Sequence, residues 1–116
     1  MKKFLAVYTG TQAARDRWNK LSEQQRKERQ SAGIKAWTDW ARVNSAAIVD
    51  QGAPLGKTKR TSAEGIADIK NAMAAYCVVQ AESHAAAAKL FENHPHFTIF
   101  PGDGVEIMEC LPLPGQ

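Results

Sequence analysis

Four stretches of the chain carry the apolar, β-branched and aromatic residues that are typical of β-strands. They predict strands at residues 3–9, 46–50, 73–80 and 105–111. The third stretch is the clearest, because its odd-numbered side chains, including Cys77, point to one face and its even-numbered ones to the other. Glycine or proline follows the first, second and fourth stretches, so each of those strands has a defined end.

Apolar residues recur at helical spacing in two further segments. Ser22 and Gln25 have the spacing of a capping box, which predicts a helix that begins there and ends near residue 44. A second, alanine-rich helix is predicted after the cap residue Ser83, over residues 84–92. It ends before Pro95, because the residue that precedes a proline is disfavoured in the α conformation.

Two segments have no clear periodicity. Residues 11–21 are predicted as a loose helical turn or a loop. Residues 55–71 are predicted as a loop of 17 residues, which is long for a small domain and indicates functional contact or disorder. An aromatic stretch at 97–100 and a Pro-Gly-Asp-Gly turn at 101–104 complete the chain before the last strand.

The predicted order of elements is therefore β-α-β-β-α-β. Two such βαβ units form the ferredoxin-like α+β fold, a four-stranded antiparallel sheet with strand order 4-1-3-2 and both helices on one face. The other face of the sheet then has no cover. An apolar sheet face that lacks helices favours pairing with a second copy, so we expect a homodimer through this open face.

Length and composition restrict the class of protein. The chain has 116 residues, of which 44% are hydrophobic and 23% charged, and this fits a single globular domain over residues 1–116. No uncharged run is long enough to cross a membrane, so no membrane partner is expected. The apolar part of residues 1–8 is too short for a signal peptide and no cleavage motif follows it, so we expect a cytoplasmic protein.

Charge is unevenly spread along the sequence. Residues 1–60 carry 13 Lys and Arg against 5 Asp and Glu, whereas residues 61–116 carry 2 against 7. Such a division can indicate nucleic-acid binding, but acidic residues are mixed into the basic first helix, which is typical of a solvated face. We expect no nucleic-acid partner, and we place the basic residues Lys57, Lys59 and Arg60 at the mouth of a pocket.

Several short segments resemble the YCII-related proteins of the dimeric α/β-barrel superfamily. They are residues 48–56, 76–81, 93–96 and 105–109. The resemblance covers essentially the whole chain and implies a single YCII-related domain whose sheet packs against that of a second chain. Most members of the family have no assigned activity, and a subset resembles dehydrochlorinases of chlorinated hydroxyquinols.

The resemblance also implies a site, a His-Asp dyad with the His on the first helix and the Asp at an Asp-Pro step. This chain differs at both positions. Lys35, Trp37 and Trp40 occupy the helical region, and His94-Pro95 stands at the Asp-Pro step.

The His94-Pro95-His96 cluster is the best candidate for chemistry, because histidine exchanges protons near neutral pH. We take His94 and His96 as candidate catalytic residues. In an extended segment, side chains two positions apart point to opposite sides, so one of them faces a given pocket. The alternative is that both cap the preceding helix or bond to the backbone.

Candidate ligand-binding residues come from several elements. Trp37 and Trp40 share a helical face and form either part of the core or the aromatic wall of a pocket. Tyr76 on the third strand adds a hydroxyl, Asp50 at the end of the second strand adds a carboxylate, and Phe100 adds a ring.

No cofactor or metal is expected. The segment 52–58 resembles a phosphate-binding loop, but it has three residues between its glycines where that motif needs four. The histidines lack the spacing of a metal site. Cys77 and Cys110 lie in predicted strands and are expected to be reduced.

Together these features predict a small-molecule-binding protein. One hypothesis is an enzyme that performs proton-transfer or elimination chemistry on an aromatic or quinone-like substrate. The other is a non-catalytic module that senses a ligand or binds a protein. A cleft lined by a histidine and aromatic side chains would favour the first.

Overall fold

A computed structural model of the chain describes residues 1–115. In chain order these residues form six strands and four helices. They are β1 (Lys2–Thr9), α1 (Gln12–Asn19), α2 (Glu23–Val43), β2 (Ile48–Pro54), β3 (Thr58–Ser62), β4 (Gly65–Ile69), β5 (Met73–Ala81), α3 (His84–Lys89), α4 (Pro95–Thr98) and β6 (Gly104–Glu109).

The main sheet has four antiparallel strands in the order β2-β5-β1-β6. The four strands predicted from the sequence are β1, β2, β5 and β6, and their order is the predicted 4-1-3-2 read from the other edge. The ferredoxin-like α+β class is confirmed. Ala6 of the central strand pairs with Cys77 on one side and with Ile107 on the other. The two strands richest in apolar residues, β5 and β1, thus lie in the middle, where both edges of each bond to neighbours.

One face of the sheet carries the core. Phe4, Ala6 and Tyr8 of β1 project from it and are buried beneath the helices. Their partners across the sheet, such as Cys77, project from the same face. Trp37 and Trp40 of α2 pack against this layer. The helices therefore lie on one face, as predicted.

Helix α2 begins as the sequence predicts. Ser22 accepts a hydrogen bond from the backbone N–H of Gln25, and the Gln25 side chain accepts one from the N–H of Ser22, which completes the capping box. Gly33 is the buried position of this 21-residue helix, and the residues before it are almost all exposed. Only the second half of α2 packs on the sheet.

Residues 11–21 form more structure than expected. Thr11 caps helix α1 by accepting a hydrogen bond from the N–H of Ala14. Trp18 is the one large apolar residue of this helix, so the sequence shows little amphipathic pattern there.

The prediction of a loop at residues 55–71 is wrong. Strands β3 and β4 form a two-stranded hairpin that pairs with no strand of the main sheet. Lys59 and Asp68 form a salt bridge across it at 2.7 Å. Its side chains are exposed apart from Thr58 and Ile69, which are half-buried. No face is buried, so the alternation that identifies a strand is absent from the sequence.

The segment after α3 also differs from the prediction. Helix α3 ends at Lys89, before the predicted residue 92, and Asn93 adopts a left-handed conformation with φ of 56°. His94 and Pro95 then start the short helix α4, so this segment is not extended. Proline suits the first position of a helix, where no N–H is needed.

Within residues 1–115, no helix or strand covers the opposite face of the main sheet. Leu5, Val7, Tyr76, Val78 and Met108 share this open face by their register. The molecule is only 19 Å across in its shortest dimension, as expected for one sheet with one layer of helices. Within residues 1–115, none of the helices has the length and apolar character needed to cross a membrane.

Candidate functional site

His94 lies at the centre of a cluster of aromatic rings. Its side chain is completely buried. Its ring centroid lies 4.5 Å from that of Trp37 and 4.6 Å from that of Trp40, and 5.1 Å from that of Tyr8. The rings of Trp37 and His94 are almost perpendicular, at 89°. Edge-to-face packing of this kind is the preferred arrangement of aromatic pairs.

Hydrogen bonding determines the protonation of His94. Its Nδ1 accepts a hydrogen bond from the backbone N–H of His96 at 3.0 Å, so in the neutral ring the proton is on Nε2. Nε2 is buried and has no hydrogen-bond partner. Burial, and secondarily the neighbouring His96, lowers the pKa of His94 to about 4. His94 is therefore uncharged at neutral pH and enclosed by rings, which makes it a poor proton acceptor.

Local sequence explains this placement. His94 is the N-cap of α4 through its side chain, and Pro95 follows at the first helical position. The Thr98 hydroxyl donates to the carbonyl of His94 at 3.0 Å. The backbone N–H of Phe100 donates to the carbonyl of Pro95, which closes the turn. A short and tightly bonded turn thus directs one histidine into the core and holds the next beside it.

His96 differs from His94 because it reaches a surface groove. Its side chain is 8% exposed, and its Nε2 lies 2.7 Å from the carbonyl oxygen of Thr9. A carbonyl can only accept, so Nε2 carries the proton and donates it. Nδ1 then holds a free lone pair, and no partner among residues 1–115 bonds to it. Within residues 1–115, His94 Nε2 is a fully buried nitrogen without a partner and His96 Nδ1 is not. Nδ1 of His96 therefore keeps some contact with solvent.

The charge state of His96 depends on three influences. Burial lowers the pKa of the imidazole, while the Thr9 carbonyl and the carboxylate of Asp103 act in the opposite direction. Asp103 accepts a hydrogen bond from the backbone N–H of Thr11 at 2.6 Å, and this bond lowers its own pKa. Arg17 lies 4.0 Å from the same carboxylate. Burial dominates for His96, so the neutral form with its free lone pair prevails at neutral pH.

The groove beside His96 has a volume of about 1450 Å³. Residues from three parts of the chain line it. They are the β1–α1 connection with the start of α1, the base of the β3–β4 hairpin, and the segment that carries His96, Phe100, Pro101 and Gly102. This volume exceeds that of a single aromatic ring, so the groove has room for a small planar ligand.

Two glycines allow the close contacts that form the wall of the groove. A Cβ at Gly102 would overlap the ring of His96, and a Cβ at Gly33 would lie 2.5 Å from the ring of Phe100. Phe100 also packs near Trp37, with ring centroids 6.1 Å apart. Gly33 thereby lets α2 approach the segment that carries Phe100, and Gly102 leaves space for the imidazole.

Tyr8 and Cys77 lie beneath the cluster and are chemically inactive there. The Tyr8 hydroxyl and the Cys77 sulfur are 3.5 Å apart, and both groups are buried. Burial raises the pKa of both groups. Neither ionises at neutral pH, so neither provides a base or a thiolate.

The structure brings together most of the residues that were singled out from the sequence. Trp37, Trp40 and His94 lie in one cluster, and His96 and Phe100 border the adjoining groove. Tyr76 and Asp50 lie elsewhere. Tyr76 pairs with Val7 on the open face of the sheet, and the Asp50 carboxylate accepts a hydrogen bond from the backbone N–H of Gly52 at 2.9 Å.

Sequence reasoning missed several contributors. The sequence identifies Tyr8 only as part of a strand, because nothing in its neighbourhood along the chain marks its contact with His94. The Thr9 carbonyl cannot be identified from side-chain patterns, because it acts through the backbone. Within residues 1–115, no three His, Cys, Asp or Glu side chains group closely enough to hold a metal ion.

The fold and the site define a ferredoxin-like α+β protein in which a mostly buried histidine, His96, lines a groove beside the ring of Phe100. The chain is similar to the solved structure of 5-chloro-2-hydroxyhydroquinone dehydrochlorinase from Burkholderia phenoliruptrix, determined in complex with 2,5-dihydroxybenzoquinone. The identity is 14%, the TM-score is 0.53, and the match covers 96% of this chain and 94% of the enzyme. At this identity the likeness shows the fold alone. No protein-family model and no curated protein matches the chain.

Proposed function

We propose that this protein binds a small aromatic or quinone-like molecule in the groove and that His96 transfers protons to and from it. One observation carries the proposal. His96 lines the groove, its Nε2 is held by the Thr9 carbonyl, and its Nδ1 has no hydrogen-bond partner within residues 1–115. A general base needs this arrangement, with one nitrogen held in place and the other free to reach the substrate.

The proposed step is a proton transfer between the ligand and His96. The Nδ1 lone pair takes a proton from a ring hydroxyl or an acidic ring carbon of the ligand, and the electron pair left behind moves onto a ring oxygen. His96 becomes an imidazolium whose second proton stays on Nε2, hydrogen-bonded to the Thr9 carbonyl. The imidazolium returns the proton in an exchange. In an elimination, the electron pair instead expels a leaving group from the neighbouring carbon together with its bonding electrons.

His94 has a positioning role in this proposal. Its Nδ1 holds the backbone N–H of His96, and its ring is enclosed by Trp37 and Trp40. With a pKa of about 4 it does not compete for the proton. We therefore assign the catalytic role to His96, and the cluster around His94 serves as a rigid support.

Likeness to a dehydrochlorinase supports the substrate class. That enzyme is named for a chlorinated hydroxyhydroquinone and was crystallised with 2,5-dihydroxybenzoquinone. Its reaction would be an elimination of the kind described above. A single YCII-related domain over residues 1–116 and a cytoplasmic location belong to the same proposal.

The proposal includes a homodimer formed through the open sheet face. Val7 and Val78 are neighbours on this face, and Met108 is 42% exposed there. The molecule is 19 Å thick, which fits one sheet with one layer of helices over the described residues. Pairing two such faces buries apolar side chains from water in both copies.

A ligand-shift screen tests the binding part of the proposal. Hydroxylated aromatics, including 2,5-dihydroxybenzoquinone, are expected to raise the melting temperature of the wild-type protein. The same screen on Phe100→Ala, which removes a ring from the groove, and on His84→Asn separates the groove from the rest of the surface, since His84 bonds to the carbonyl of Ile107 instead. A flat response to every compound would contradict binding. Binding without any proton transfer would favour the non-catalytic ligand-sensing alternative.

A further inference from the structure

The groove beside His96 carries a strong excess of positive charge. Its lining includes four cations, Arg15, Lys57, Lys59 and Lys70, and one carboxylate, Asp68. Asp68 is paired with Lys59 at 2.7 Å. The other three cations form no salt bridge with any residue of 1–115. Unpaired cations from both the helical layer and the hairpin therefore surround the same space.

The start of helix α1 adds to this positive potential. Thr11 and Gln12 line the groove, and the Thr11 hydroxyl accepts from the N–H of Ala14. The backbone N–H groups of Gln12 and Ala13 are left without an intrahelical acceptor, and the first turn of α1 contains no acidic residue. A helix N-terminus of this kind favours anions.

His96 lines the same groove, and one of its ring nitrogens has no protein partner within residues 1–115. His96 is more than nine-tenths buried, yet its Nδ1 has no partner within the described chain. The carboxylate of Asp103 accepts from the N–H of Thr11 and lies 4.0 Å from the guanidinium of Arg17, so it offsets part of the positive potential at the start of α1. The N–H groups of Gln12 and Ala13 and the three unpaired cations remain.

We infer that the ligand of this groove is an anion, a planar aromatic acid whose ring lies against Phe100 and His96 and whose ionised group faces Arg15 and the start of α1. The inference rests on the proposed function and specifies its substrate class. A carboxylate, or a hydroxyquinone that is ionised at neutral pH, meets this requirement. A neutral ring of the same shape lacks the charge that the groove attracts.

A matched pair of probes tests the inference. 2,5-Dihydroxybenzoate and 2,5-dihydroxybenzamide have the same ring and nearly the same size, and they differ in charge. Titration calorimetry is expected to give about tenfold tighter binding of the acid, and this difference should shrink as salt is added because the cations are exposed. Arg15→Gln and Lys57→Gln should each weaken the acid about threefold and leave the amide unchanged.

The control and the outcomes separate this inference from the proposed function. Lys27→Gln removes an exposed cation of α2 that pairs with Glu23 outside the groove, and it should change neither affinity. Equal affinities for acid and amide, unaffected by Arg15→Gln, would overturn the inference while leaving aromatic binding intact. Failure of both probes to bind would overturn the proposed function together with the inference.

Discussion

The backbone N–H of His96 donates a hydrogen bond to Nδ1 of His94 at 3.0 Å, so two histidines separated by one proline have different roles. The first is turned into the core and fixed as a neutral ring. The second is held beside it, with one nitrogen bonded to the Thr9 carbonyl and the other free. His94 thus has a structural role, and His96 has a nitrogen that is free to accept a proton.

Burial of His94 makes the stability of the protein depend on pH. Its pKa is lowered from 6.5 to about 4 on folding, so between these values the unfolded chain binds the proton and the folded chain does not. The stability that the protein has with His94 buried as a neutral ring is fully present above pH 6.5 and is lost as the pH falls through about 4. We expect a loss of about 3 kcal/mol from this source between pH 7 and pH 4.

Urea unfolding at several pH values between 4 and 7 measures this loss. His94→Phe removes the titrating group and keeps a ring in the cluster, so its stability should fall less over this range than that of the wild type. His84→Asn, which removes an exposed histidine, should leave the wild-type slope unchanged. Parallel slopes for His94→Phe and the wild type would contradict the assignment.

The carboxylate of Asp103 raises the pKa of His96 against the effect of burial. Replacement by asparagine removes the charge and keeps an oxygen that can accept from the N–H of Thr11. We expect Asp103→Asn to lower the pKa of His96 further, as measured by NMR titration of its ring protons. Asp68→Asn on the hairpin is the matched control and should not move it. An unchanged or higher pKa in Asp103→Asn would show that the two groups are not coupled.

Gly33 is expected to be essential for the position of Phe100. A Cβ at residue 33 would lie 2.5 Å from the Phe100 ring, which must then move. Overpacking costs about 1–3 kcal/mol, while alanine in a helix gains up to about 1 kcal/mol over glycine. Gly33→Ala should therefore destabilise the wild type by about 1–2 kcal/mol.

The same substitution made together with Phe100→Ala provides the control for this contact. Without the ring, the helix-forming advantage of alanine remains and Gly33→Ala should become neutral or stabilising. Thermal unfolding of the four proteins in this cycle measures the coupling. Equal effects of Gly33→Ala in both backgrounds would mean that Phe100 is not the cause.

The open sheet face predicts the oligomeric state. Light scattering at micromolar concentration should give twice the mass of one chain. Val78→Lys places a charge on the open face and should produce monomers. Ile34→Lys, at a 63% exposed position of α2, should remain dimeric. A wild type with the mass of one chain would refute the proposed dimer.

The sequence was sufficient to predict the fold because the relevant signals are local and periodic. The Ser22–Gln25 capping box fixed the start of α2, and the apolar residues of β1 and β5 identified the central strands. The hairpin at β3 and β4 escaped prediction because neither of its faces is buried. Without burial, the strands have no alternation of apolar and polar residues to reveal them.

Prediction of the site was less complete because it depends on contacts across the fold. His94 and His96 stood out by their chemistry alone. The acceptor that orients His96 is a backbone carbonyl 87 positions away in the sequence, at Thr9, and no side-chain pattern records it. Tyr76 is a pocket candidate by sequence because of its hydroxyl, yet the alternation of β5 places it on the opposite face of the sheet.

The central claim is that His96 exchanges protons with a bound aromatic, and ring-proton exchange tests it directly. The hydrogens on the ring carbons of 2,5-dihydroxybenzoquinone can be followed by proton NMR in deuterated buffer. The wild type should accelerate their replacement by deuterium, and His96→Asn should reduce this rate by about a hundredfold or more while still binding the quinone. His84→Asn should exchange at the wild-type rate. Equal rates for the wild type and His96→Asn would contradict the account.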